Sequence, residues 1–117
     1  MQMGQASFSS ELVRSCADLV ILTLLSRQPM HGYDILTSMG DFGDGKFRFK
    51  QGTLYPVLYR LEREGWIKAQ WQVPEKGRKR KVYRITAEGK RVHKTRSQQW
   101  KKFTASVDAI LKETADG

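Results

Sequence analysis

Two groups of side chains in this 117-residue chain could act on a partner. The first is a run of cations, Lys76, Arg78, Lys79, Arg80 and Lys81, followed at lower density by Arg84, Lys90, Arg91, Lys94, Arg96, Lys101 and Lys102. Residues 76–102 carry 12 basic side chains against Glu88 alone, a net of +11, whereas residues 1–75 carry 8 basic and 8 acidic side chains. The chain's overall charge of +9 is therefore concentrated in one window. A one-signed field of that density suits a polyanion, while a surface that only confers solubility is better served by mixed signs. The second group is Tyr55, Tyr59, Arg60 and Arg63, spaced to share one helical face, with Lys50, Gln51 and Thr53 just before it. A solvated surface explains the arginines of that face well and the tyrosines less well.

Other chemistries find little support. Cys16 is the single cysteine, which excludes an intramolecular disulfide framework and a Cys-rich zinc site. His31 and His93 lie in different elements without a Cys or carboxylate cluster, so no metal is expected. His31 is expected to cap or buttress the second helix, and His93 to lie on the surface of the last one. No Gly-rich phosphate loop occurs, and Ser9, Ser10 and Asp34 lack a nucleophile–base context, so neither an enzyme nor a cofactor is expected. The longest apolar run, Leu19 to Leu25, falls far short of the roughly 20 residues that span a bilayer. With no export signal visible, a cytoplasmic protein without membrane contact is expected.

The elements that must position these groups follow from periodicity. Residues 10–26 predict a helix whose apolar face is broad, with a second stripe of Phe8, Leu12, Cys16 and Leu19. A helix apolar on two sides has two partners. Residues 31–39 predict a short second helix with Ile35, Leu36 and Met39 facing the core, ended by Gly40. Leu54, Val57, Leu58 and Leu61 define a third helix, expected to start near Gly52 or Thr53 because Pro56 lacks an N–H. Gly65 closes it. Residues 66–73 and 80–86 predict a hairpin with a basic tip, in which Ile67, Ala69, Trp71 and Val73 share one face. Thr86 is an N-cap signal, though Gly89 occupies the place of a capping-box acid. A long helix over 87–113 follows, with Trp100, Phe103, Val107 and Ile110 forming a short apolar seam that has no partner in so small a core.

Three helices and a basic hairpin describe an α+β, mostly helical, winged helix-turn-helix with a C-terminal dimerisation helix. Two parts are expected, a DNA-binding region over 1–86 and a dimerisation helix over 87–117. Within that order, His31-Gly32-Tyr33-Asp34-Ile35, the run from Gly52 to Gly65 (GTLYPVLYRLEREG) and the run from Arg78 to Thr86 with Gly89 are recognisable. Over roughly residues 12–90 the chain resembles the phenolic acid decarboxylase regulator (PadR) family of transcriptional regulators, in its shorter form with one C-terminal helix.

The resemblance implies a homodimer in which the last helix packs on the partner's first helix, in agreement with the two apolar stripes. Phe8, Leu12, Trp100, Phe103, Val107 and Ile110 are the expected interface. It also implies an aromatic residue at a dimer-interface pore, a place that Trp100 matches, and hence a small aromatic effector. Double-stranded DNA is the expected partner, read as an inverted repeat, with repression as the expected outcome. The third helix would enter the major groove with Lys50, Gln51, Thr53, Tyr55, Tyr59 and Arg63, and Lys76, Arg78, Lys79, Arg80 and Lys81 of the hairpin would hold phosphates. Two other readings stay open: a winged-helix protein-interaction module, and a nucleoid-type binder with little sequence preference.

Overall fold

The computed structural model describes residues 14–41, 45, 47, 49–74 and 76–116, with side chains through Glu113. The apolar run at Leu19–Leu25 forms helix α1, Ala17–Arg27, whose Ile21, Leu22, Leu24 and Leu25 are buried. A helical pair at residues 14–15 precedes it, interrupted at Cys16. Phe8 and Leu12, expected in the second stripe of this helix, lie outside the described residues.

After Pro29 the chain makes a two-residue strand, β1 (Met30–His31), and then α2 (Gly32–Asp41). Ile35 and Met39 of α2 are fully buried and Leu36 packs against them, as the periodicity predicts. The strand was not foreseen. His31 was expected in the helix, but its backbone pairs with Val82 in the third strand.

Helix α3, Gln51–Arg63, buries Leu54, Leu58 and Leu61 completely. Each such side chain contributes about 1.5–3 kcal/mol relative to exposure. The helix begins one residue earlier than Pro56 suggested. The reason is Lys50, which stays extended and accepts the N–H groups of Thr53 and Leu54, each at 2.9 Å, so its carbonyl nucleates the first turn. At the other end Gly65 adopts φ +83, the left-handed turn that releases the chain into the hairpin.

Strands β2 (Ile67–Gln72) and β3 (Arg80–Ile85) pair antiparallel from Ile67↔Ile85 to Gln72↔Arg80, and β1 completes a sheet of order β1-β3-β2. Being central, β3 buries the adjacent residues Val82 and Tyr83, on opposite faces. Of the face that Ile67, Ala69, Trp71 and Val73 are expected to share, Ile67 is buried and Ala69 half-buried, whereas Trp71 and Val73 are 60% and 70% exposed. The hairpin has outrun the buried core by that point, and Trp71 lines an open groove that no apolar side chain of the core fills.

Thr86 then starts α4, Ala87–Asp116. Its hydroxyl accepts the N–H of Gly89 at 3.0 Å and donates to the carbonyl of Gly65 at 2.7 Å. One cap thereby ties the start of the last helix to the end of α3. The first turns of α4 lie on α1, and His93 is part-buried there, not on the surface as expected. Thr23 Oγ1 donates to the Leu19 carbonyl at 2.7 Å, so it accepts from His93 Nε2 at 2.8 Å. Beyond Trp100, Thr104 is the one residue of α4 with described burial that is not exposed.

Candidate nucleic-acid interface

The face of α3 opposite its leucines carries the expected residues. Lys50, Gln51, Tyr55, Tyr59 and Arg63 are exposed and Thr53 is half-buried. Arg63 lies over the Tyr59 ring at 5.8 Å, which extends that ring's flank with a cation. Tyr59 is 66% exposed and Tyr55 43%. The difference has a cause: Tyr55 packs its phenol end on Gly32, and any side chain at Gly32 would collide with it. Tyr55 therefore fixes α3 against α2 while Tyr59 projects. Lys50 caps α3 without a side-chain acceptor, and the positive dipole end of the helix suits an anion.

Arg60 departs from the outer face on which the spacing placed it. Its guanidinium donates to both oxygens of Asp18 in α1, at 3.0 and 2.5 Å, and the carboxylate beside it raises its already high pKa. Arg96 of α4 donates to Asp18 Oδ2 at 3.1 Å. This three-helix junction was invisible in the sequence, since its members lie 42 and 78 residues apart.

The hairpin carries the second group. Lys76, Arg78, Lys79 and Arg80 are exposed, and Gly77 at φ +105 makes the turn between them. Lys81 is half-buried, its ammonium 5.9 Å from the Trp71 ring and 5.6 Å from that of Tyr83. Such packing holds the stem of the cation on the sheet. Between the outer half of the hairpin (Trp71, Arg80 and Lys81), Tyr55 and the start of α2 lies a groove of about 660 Å³. His31 lines it, with Nδ1 2.8 Å from Asp34 Oδ2 and Nε2 3.4 Å from Arg80 Nη1, so it buttresses α2 as expected. Tyr33, 68% exposed, lines it too and was overlooked. The available signal was helical phase, because Tyr33 falls outside the Ile35–Leu36–Met39 stripe.

On α4, Trp100, Phe103, Val107 and Ile110 are 37%, 61%, 37% and 63% exposed, and Leu111 extends the patch. The rings of Trp100 and Phe103 are 6.1 Å apart and line a cavity of about 360 Å³ with Cys16, Leu19 and Arg96. Burial pushes the Cys16 thiol up in pKa, which keeps it protonated and poorly nucleophilic. Among the described residues no group of three or more His, Cys, Asp or Glu could hold a metal, and no helix is long and apolar enough to cross a membrane.

A short sheet whose hairpin follows a helix-turn-helix defines a winged-helix protein. The profile of the transcriptional regulator PadR-like family matches residues 21–95. A transcriptional regulator from Clostridium thermocellum is 31% identical, with a TM-score of 0.77 over 85% of this chain and 96% of its own. A PadR family transcriptional regulator from Eggerthella lenta is 34% identical, with a TM-score of 0.77 over 86% of both chains. The transcriptional regulator Rv3488 of Mycobacterium tuberculosis is 35% identical over 80 residues, 68% of this chain and 71% of that protein. The chain belongs to the transcriptional regulator PadR-like family and is a DNA-binding regulator of transcription.

Proposed function

We propose that the protein is a homodimeric, cytoplasmic repressor that reads an inverted repeat in double-stranded DNA. The observation that carries this reading is the two-sidedness of α3. Leu54, Leu58 and Leu61 are fully buried, while Gln51, Tyr59 and Arg63 stand exposed beside a hairpin of exposed cations. Gln51 and Tyr59 choose the base sequence, helped by Thr53 and Tyr55. Lys50, Arg63, Lys76, Arg78, Lys79, Arg80 and Lys81 hold phosphates. Residues 1–86 bind DNA and residues 87–117 dimerise.

The exposed seam on α4 supports the dimer. Five large apolar side chains on one helix form a patch that a monomeric protein rarely leaves in water. The cavity at Trp100 supports a planar aromatic effector, neutral or anionic because Lys101 and Lys102 stand beside it. Selecting bound sequences from a random duplex library tests the reading. An enriched inverted repeat is expected, and enrichment of no sequence would replace the regulator of defined sites with a general DNA binder.

A further inference from the structure

We propose that Asp18 is a positioning residue for DNA reading: by holding Arg60 and Arg96 together it fixes the recognition helix to the dimerisation helix and so sets the half-site spacing that the dimer accepts. This rests on the reading above, in which α3 contacts bases and α4 joins the protomers. Asp18 stands where α1, α3 and α4 meet, and its side chain is only 17% exposed. Arg60 grips it with two parallel N–H bonds, and Arg96 shares Oδ2. The burial of apolar surface is non-directional and by itself sets no fixed hydrogen-bond geometry between two helices. A bidentate guanidinium–carboxylate pair fixes both distance and angle.

Each arginine is placed to transmit that constraint. Arg60 follows Tyr59, so holding its guanidinium holds the rotation of α3 that aims Tyr59 outward. Arg96 lies one helical turn before Trp100 in the seam. Its guanidinium also covers the Trp66 ring at 4.7 Å, and Trp66 adjoins the first residue of β2. The junction therefore touches the reading helix, the root of the hairpin and the helix that carries the dimer seam. In a two-fold dimer the distance between the two α3 copies is the product of the α4 interface and this link. A link that yields should blur the spacing without removing any group that touches DNA.

The test uses the full-length protein and the duplex that the wild type selects from a random library, rebuilt with one base pair added to or removed from its centre. Asp18→Asn keeps the shape and removes the charge. We expect it to stay folded and dimeric, to bind random duplex DNA as well as the wild type, and to lose about tenfold on the selected duplex. Its discrimination against the altered spacers should fall from large to threefold or less. Arg96→Gln, which leaves the Asp18–Arg60 pair in place, should relax spacing in the same way and guards against a misfolded Asp18 variant. Unaltered spacing discrimination in both variants, with only lowered thermal stability, would overturn the proposal and leave the junction a structural staple. Failure of the wild type to select any site would overturn it too, through the DNA reading on which it rests.

Discussion

The Cα of Gly89 packs directly against the backbone carbonyl of Trp66, and a side chain there would collide with that oxygen. The same carbonyl accepts the N–H of Thr86 at 3.0 Å, and Thr86 in turn caps Gly89. The absent capping-box acid is thereby explained: the third residue of the helix must be glycine because the hairpin root lies on it.

A first prediction follows with a sign opposite to propensity. In an exposed helix, Gly→Ala stabilises by about 1 kcal/mol. Gly89→Ala must instead push α4 off Trp66 and should destabilise by about 1–3 kcal/mol, the usual range for overpacking. Urea unfolding of the two proteins measures it, and a stabilised variant would show that α4 does not approach the hairpin so closely.

The α4 seam predicts a dimer at micromolar concentration. Val107→Asp with Ile110→Asp would bury unpaired charges if the seam is an interface, and should yield monomer or unfolded chain. Sedimentation of the wild type as a stable monomer would show that the seam is not an interface.

How far the sequence revealed these relationships depended on their range. The leucines of α3 repeat with the helical period, so that helix and its outer face could be read directly. Strand β1 could not, since two residues carry no alternation and its pairing with Tyr83 and Val82 is settled only in space. Alternation groups Trp71 with the buried Ile67 on one face of β2 but says nothing about where the core ends, so the exposure of Trp71 could not be read from it. Among the described residues, the expected site residues occupy exposed or half-buried positions, whereas Arg60 is drawn inward by Asp18, a partner no local pattern announces.

Salt dependence should be steep. A dimer that sets about 8 cations on phosphates has a slope of log K against log salt near −7. Replacing Arg78, Lys79 and Arg80 by alanine should weaken binding to all duplexes and flatten that slope. An unchanged slope would mean that the hairpin is not the phosphate clamp.

Trp100 gives a spectroscopic handle on the effector. Planar aromatics should quench tryptophan fluorescence in the wild type and shift its DNA affinity, and Trp100→Ala should lose most of the quenching while Trp66 and Trp71 remain. An effector shifts DNA affinity only if it binds the two states unequally. Quenching that persists in the variant would move the binding site elsewhere.

If α3 chooses the sequence, Tyr59 shows it first, because it is the most exposed aromatic of that helix. The measurement is the affinity of Tyr59→Ala for the selected duplex and for random duplex DNA at one salt concentration. The expected loss is about 1–3 kcal/mol on the selected duplex and much smaller on random DNA. Equal losses on both would contradict it, because Tyr59 would then position the backbone and the choice of sequence would lie in another part of the protein.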